Sequence, residues 1–398
     1  MSADRPAIES ARAMNATALR AMAAGDFGAA RETLQQALRI APEDVGLWLN
    51  LAGSCRATGD LAGAMSAVEG ALHLDPRSFM ALLMKGSLLE RQGSIKQAAQ
   101  AYRPAVALAP PEHLLDAATV QALRHAREVN ARYAEELAAF VASQVGAQRE
   151  RGGSAEARRI SAFIDFAVLH KQRFQQEPTD FYYPGLPAIE FHERADFPWL
   201  PAFEAATATM RDELSQILRD DFRDFVPYVA YPENVPLDQW AELNHSKRWG
   251  ALHLYLYGAR VEQNCSRCPG TMEALAAVPQ PRMPGRSPAA MFSALQPGTR
   301  IPPHTGVANT RLVVHLPLIV PPGCGFRVGN ETRSWQEGQA WVFDDTIEHE
   351  AWNDSDRPRV IFICDVWNPR LSQTERELIA SVVAAIDRFN GAVPTAKL

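Results

Sequence analysis

The chain has 398 residues, 47% of them hydrophobic and 22% charged, with 40 Lys and Arg against 46 Asp and Glu. That length and balance suit two or three domains with buried cores and exclude a peptide, a fibre or a disordered tail. A formal net charge of -6 excludes the strong positive field of a nucleic-acid or anionic-lipid binder. The first residues lack a basic then apolar leader, and no apolar run reaches the ~20 residues that span a bilayer, so a cytoplasmic protein without membrane insertion is expected.

Gly25, Gly59 and Gly93 are spaced 34 residues apart, and so are Ala30, Ala64 and Ala98, then Ala37, Ala71 and Ala105, then Pro42, Pro76 and Pro110. Four positions on one period predict a repeated unit. In each unit a helix, a Gly-centred turn and a second helix meet at small residues, and a proline then stops the chain. Residues 9–110 hold three such units and resemble the tetratricopeptide repeat, with large aromatics only at scattered positions such as Phe27, Trp48 and Tyr102. The resemblance implies an α-helical solenoid whose concave face docks a protein or peptide partner and carries no chemistry. The alternative is an array that packs on a neighbour or on itself. Residues 114–148, rich in Ala and Leu, are expected to continue as a capping helix, which places the helical domain at 9–148. Gly152 and Gly153 mark a hinge in a linker at 149–180, within which residues 155–175 read as a further amphipathic helix.

From residue 181 to 398 the pattern changes. Residues 203–218 read as a helix among proline-rich loops, and apolar β-branched or aromatic runs follow at 252–257, 311–320, 340–343 and 359–367. Short strands bounded by Gly, Pro, Asn and Asp, without intervening helices, predict an antiparallel jelly-roll or barrel with a pocket inside it. Residues 373–389 close the chain as a helix. Five cysteines are an odd number and too sparse for a disulfide framework. Cys265 and Cys268 have the spacing of a redox pair or half a zinc site, but no second CxxC or HxxxH completes four ligands, and a structural role is expected.

His304 opens a strand, His315 lies inside the next, and His349 follows an Asp344-Asp345 turn. Imidazoles approaching from separate strands of a barrel are how non-haem iron is gripped. Arg359, 10 residues after His349, begins a strand that can return through the pocket with the forked donors that suit a carboxylate. Each residue alone is compatible with a structural role.

Together, residues 304–315, 343–352 and 359–369 resemble the aspartyl/asparaginyl β-hydroxylase family, with weaker likeness around 291–299, 264–271 and Trp249. The resemblance implies a double-stranded β-helix of the jelly-roll or cupin kind and an iron(II)- and 2-oxoglutarate-dependent dioxygenase that consumes O2. His304 and His349 match the iron ligands. Arg359 matches the arginine that binds the distal carboxylate of 2-oxoglutarate, and Ser293, His315 and Trp249 match further co-substrate contacts. Val313 stands where some relatives carry arginine, and Arg311 is near enough to stand in. Gly306 occupies the position that holds a carboxylate ligand in most such oxygenases, and glycine there is the family's own rule; Asp344 and Asp345 are expected to be turn or outer residues. The implied target is the β-carbon of Asp or Asn in a protein or peptide. Alternatives are a free or carrier-bound amino acid, a lipid acyl chain, a cupin-like enzyme using another metal, and a non-catalytic repeat scaffold.

Overall fold

The computed structural model describes residues 5–149, 154–220 and 222–391 and divides into two compact units, Met1–Lys171 and Gln172–Leu398. The expected hinge at Gly152 and Gly153 lies outside the described residues. No helix among them is long and apolar enough to cross a membrane.

The first unit is a run of helices: α1 (Arg5–Ala23), α2 (Phe27–Ile40), α3 (Val45–Ala57), α4 (Leu61–Leu74), α5 (Phe79–Arg91), α6 (Ile95–Ala107), α7 (Ala117–Arg149) and α8 (Ser154–Ala167). They pack as the pairs α1–α2, α3–α4 and α5–α6, with α7 laid on α6. The sequence period has a direct cause. Gly25, Gly59 and Gly93 take φ of +80°, +81° and +76° at the turn inside each pair, a conformation that side chains with a Cβ resist. Asp26 and Asp60 then cap the second helices of the first two pairs by accepting the N–H of Ala29 and Gly63. Ala30, Ala64 and Ala98 are fully buried. The helix expected to reach residue 175 stops at Ala167. Leu169 turns into the left-handed region, and the N–H groups of His170 and Lys171 both fold back to the Asp165 carbonyl.

The second unit begins with α9 (Leu200–Ala205) and α10 (Thr207–Ile217), where a single helix was expected; the Thr207 hydroxyl takes the Glu204 carbonyl at the break. Next come β1 (Val226–Pro227), β2 (Trp249–Leu256), β3 (Ala259–Arg260), α11 (Glu262–Cys265) and α12 (Pro269–Ala276). The remaining elements are β4 (Ala290–Leu295), β5 (Thr299–His304), β6 (Arg311–Ile319), β7 (Cys324–Val328), β8 (Glu331–Arg333), β9 (Trp341–Phe343), β10 (His349–Asn353), β11 (Arg359–Trp367) and α13 (Gln373–Asn390). The strands form two antiparallel sheets. One runs β1-β2-β4-β11-β6-β9 with β3 beside β2, and the other runs β5-β10-β7-β8.

Strand parity divides the large sheet into two faces. Leu252 and Leu254, Phe292, Leu312, Val314 and Leu316, and Val360, Phe362 and Cys364 point toward α9, α10 and α12, in one core with Phe203, Met210, Leu214 and Leu275. Trp249, Leu295, Val313 and Ile361 point the other way, onto Ile301, Phe326, Val328 and Ala351 of the small sheet. Burial on both faces explains why β6 and β11 read as unbroken apolar runs. The chemistry-bearing residues of these strands belong to the second face.

The short helices α11 and α12 were not expected. They carry Cys265 and Cys268, both buried: Cys265 donates its thiol to the Leu254 carbonyl, and burial pushes the Cys268 thiol up to about 12. These cysteines behave as core residues.

His192 is buried with neither ring nitrogen partnered, and burial lowers its pKa to about 4. Unfolded, it takes a proton near pH 6.5, so protonation favours the unfolded chain as pH falls from 6.5 toward 4. At pH 4.5 this contributes roughly 2.5 kcal/mol against folding relative to neutral pH. His192→Phe is therefore expected to flatten the acid limb of the second unit's stability, measured by denaturant titration at pH 7 and 4.5; parallel limbs in wild type and variant would refute it.

Candidate metal and co-substrate site

His304 ends β5 and His349 begins β10, and the two are direct register partners across the small sheet. Their rings lie 4.1 Å apart, centroid to centroid. Each Nδ1 meets a carbonyl two residues back, Pro302 O at 2.8 Å and Ile347 O at 3.0 Å. A carbonyl only accepts, so each Nδ1 carries the proton and each Nε2 keeps its lone pair. Burial holds both rings neutral, lowering His304 to about 3, with help from His349 beside it, and His349 to about 4. Two neutral imidazoles with bare Nε2 atoms, side by side and braced through Nδ1, are a ready pair of metal ligands.

An aromatic wall stands beside His304. Tyr228 stacks on Trp249 at 3.9 Å, Trp240 lies nearly parallel to Trp249 at 6.2 Å, and the Trp240 ring meets His304 edge-on at 5.1 Å. Trp249 donates its indole N–H to the Ser293 hydroxyl at 3.1 Å, which leaves that hydroxyl's own hydrogen free to donate elsewhere. Phe326 and Phe343 each touch both His349 and His315, joining the imidazole pair to a buried polar cluster.

That cluster holds polar atoms without partners. Arg359 is 1% exposed, its Nε and Nη1 donate to nothing, and burial lowers its pKa to about 10. Its guanidinium carbon sits 4.8 Å from the centre of the Trp335 ring, whose buried indole N–H is also unpartnered. The buried His315 Nδ1 is a fourth such atom, and burial followed by the Arg359 charge holds that ring neutral. Leaving one buried donor unpaired costs about 1–3 kcal/mol, so a cluster of them marks a place shaped for an acceptor-rich ligand.

Arg311 and Asp345 form an ion pair at 3.0 Å. Asp345 occupies the space beside Gly306: a Cβ on that glycine would overlap the Asp345 carboxylate. Burial raises the Asp345 pKa, Arg311 opposes that rise, and Oδ1 is left without a partner. Asp344 instead closes a turn, accepting from the Thr346 N–H and hydroxyl and from Gln176. Val313 lies in the apolar cluster, paired with Phe343 on one side and Asp365 on the other, and has no polar atom to offer.

Sequence reasoning named His304, His349, Trp249, Ser293, Val313, His315 and Arg359; the fold puts the first two on neighbouring strands of the small sheet and the rest on strands of the large one. Sequence reasoning missed Tyr228, Trp240 and Trp335. An aromatic next to a proline loop gives no signal of its own, although Trp335 in a polar turn was a visible anomaly. Among the described residues no group of three His, Cys, Asp or Glu side chains is placed to hold a metal.

Residues 204–369 match the family model for aspartyl/asparaginyl beta-hydroxylase, and residues 21–78 and 66–113 match models for tetratricopeptide repeats. The chain carries an aspartyl/asparaginyl β-hydroxylase domain behind tetratricopeptide repeats. Over 149 residues it is 38% identical to the aspartyl/asparaginyl beta-hydroxylase of Homo sapiens, covering 37% of this chain and 19% of that protein. Over 198 residues it is 33% identical to the ornithine lipid ester-linked acyl 2-hydroxylase of Rhizobium tropici, covering 48% and 66%. The chain thus spans about a fifth of the human relative's length and about two thirds of the bacterial one's. Among solved structures, the Sgt2 TPR domain from Aspergillus fumigatus is 24% identical over 30% of this chain and 77% of that one, with a TM-score of 0.27.

Proposed function

We propose that this protein is an iron(II)- and 2-oxoglutarate-dependent dioxygenase that hydroxylates an unactivated carbon, first of all the β-carbon of Asp or Asn in a peptide brought by the repeat unit. The observation that carries the reading is the adjacent, neutral pair His304 and His349, each with its Nδ1 on a carbonyl, joined through Phe326 and Phe343 to His315 and, electrostatically, to the buried Arg359 with its orphaned donors. The donor set fits the group: two imidazoles suit iron(II), and an unpaired buried guanidinium suits a dicarboxylate. Bound iron, 2-oxoglutarate and dioxygen together supply an oxidant strong enough to take hydrogen from carbon.

The chain's own residues do the rest. His304 and His349 hold the metal. Arg359 takes the distal carboxylate of the co-substrate, with the Ser293 hydroxyl and His315 as further contacts and the Trp335 N–H as an additional donor. Tyr228, Trp240 and Trp249 exclude water along one side. Arg311 fixes the Asp345 carboxylate beside His304 and Gly306.

A second reading of the target, an uncharged aliphatic chain such as a lipid acyl group, rests on Val313 and on Arg311. The first is apolar and the second is already neutralised by Asp345. Asp-bearing peptides and acyl substrates assayed side by side separate the two.

The test is anaerobic addition of iron(II) and then 2-oxoglutarate to the purified chain, watching for the weak visible metal-to-ligand charge-transfer band. Its appearance is expected. Its absence, with folded protein that takes up no iron, would leave a repeat scaffold. Arg359→Leu is expected to raise the half-saturating 2-oxoglutarate concentration roughly ten- to a hundredfold, with iron uptake retained, since each charge-assisted bond is worth about 1.5–3 kcal/mol. Unchanged co-substrate affinity would remove Arg359 from that role.

A further inference from the structure

The helix α13 is fixed on the second unit by one of its sides. Ser372 and Glu375 form a reciprocal cap at its start, and Gly391 ends it at φ +60°. Arg286 donates to both carboxylate oxygens of Asp387, at 3.1 and 2.8 Å, and the Tyr183 hydroxyl donates to Glu375 at 2.8 Å. Val383 is the one buried residue of the helix. The side turned away from Asp387 is apolar and uncovered. Leu378, Val382, Ala385 and Phe389 recur at steps of four, three and four residues, which sets them in one line along the helix. All four are exposed, Leu378 by 60%, Val382 by 56% and Phe389 by 92%. Alternating steps of four and three make the seam of a two-helix coil, and Ile386 extends its edge. Glu377 and Arg388 flank the line on the same side, 11 residues apart, and their midpoint falls within about one residue of the middle of the line. Neither makes an ion pair among the described residues; the Glu377 carboxylate accepts from the neutral Gln373 amide at 2.7 Å.

We propose that α13 is a self-association element, on which a second copy of this chain lays its own α13 antiparallel. The charges select that occupant and that direction. A two-fold axis through the middle of the seam sets Leu378 against Phe389 of the second copy and Val382 against its Ala385, and it brings Glu377 to the opposite Arg388 twice, once on each side of the axis. A parallel pair would instead oppose Glu377 to Glu377 and Arg388 to Arg388. A lipid surface is a poor match, because the helix carries Glu375, Glu377 and Asp387 against Arg376 and Arg388 rather than a basic polar face. One such helix pair spans roughly 27 Å and buries less than the ~1,200 Å² of a standard interface, so association in the micromolar range is expected. This goes beyond the hydroxylase reading and depends on no chemistry at the histidine pair.

The experiment is sedimentation velocity of the intact chain without added iron or 2-oxoglutarate, from about 1 to about 200 µM, where wild type is expected to pass from monomer to dimer. Val382→Glu, at an exposed position, should weaken dimerisation at least about tenfold while helical content stays constant by circular dichroism. Glu377→Arg and Arg388→Glu should each weaken it, because like charges then meet twice. Their equimolar mixture should dimerise as wild type does, because every pairing between the two variants is again opposite in sign. Damage to the helix would not be undone by mixing. A monomer at every concentration, a dimer untouched by Val382→Glu, or a mixture no better than its components would overturn the proposal.

Discussion

His304→Ala is expected to abolish iron-dependent turnover, by more than about a hundredfold, and His349→Ala to reduce it less severely. Both remove one of the two imidazoles proposed to hold the metal, and among the described residues no group of three His, Cys, Asp or Glu side chains is placed to hold one. The difference between them comes from Asp345. Its carboxylate lies beside Gly306, two residues after His304, and each of Asp345 and His304 acts electrostatically on the other. Removing His349 leaves His304 with the carboxylate that acts on it; removing His304 takes away the imidazole on which that carboxylate acts, and also the ring against which Trp240 packs. Folding should survive in both variants, since each imidazole is neutral and gives up one Nδ1 bond of roughly 1 kcal/mol. Iron stoichiometry after anaerobic loading and succinate released per minute provide the readouts. Full iron occupancy in both variants would place the metal elsewhere, and equal losses would remove Asp345 from the comparison.

The legible parts of this chain share one property: their signal is local or periodic. The helical pairs announce themselves because each needs a left-handed residue at Gly25, Gly59 and Gly93 and a small one at Ala30, Ala64 and Ala98, at a fixed interval. The strand β11 is visible because both of its faces are buried, and its alternation of Val360, Phe362 and Cys364 with Arg359 and Ile361 separates the helix-covered core from the face that carries the candidate site. His304, His349 and Arg359 stood out through the resemblance of long motifs rather than through spacing, since a histidine at a strand end looks alike in structural and ligating roles.

What stayed hidden depends on contacts between distant segments. Arg311 and Asp345 are 34 residues apart, and nothing near either one forecasts their pairing. Trp335 matters because the Arg359 guanidinium lies over it, a relation between a loop and a strand. The helix α8 was overextended because its end is set by the backbone rather than by side-chain pattern: Leu169 reverses the chain, and the next two N–H groups are spent on one carbonyl. A break between α9 and α10 was equally invisible, since Thr207 is an acceptable helix residue until its hydroxyl takes the Glu204 carbonyl.

Gly306→Ala, the smallest substitution available in the site, is expected to have the largest effect on stability. Gly306 does not sit in the left-handed region, so alanine meets no backbone penalty there; the entire cost is the collision of its Cβ with the Asp345 carboxylate. The glycine N–H also donates to the Asp345 carbonyl at 2.6 Å, which pins the two segments together and blocks retreat of the backbone. The carboxylate must therefore swing away, and Arg311 loses its partner in a setting where both side chains are largely buried. Breaking a buried pair costs about 3–5 kcal/mol, which for a unit of this size lowers the melting temperature by roughly 6–20 °C. In an Arg311→Met background the pair is already gone, so adding Gly306→Ala should cost markedly less, and a double-mutant cycle measures the difference. Asp345→Gly should likewise make room for the alanine. If Gly306→Ala melts like wild type in both backgrounds, the carboxylate has space to move, and the glycine is not there to accommodate it. If the penalty is large and relieved by either second change, the two positions act as one: residue 306 has no side chain because Asp345 provides the negative charge in its place, and restoring a carboxylate as Gly306→Asp should be tolerated only together with Asp345→Gly.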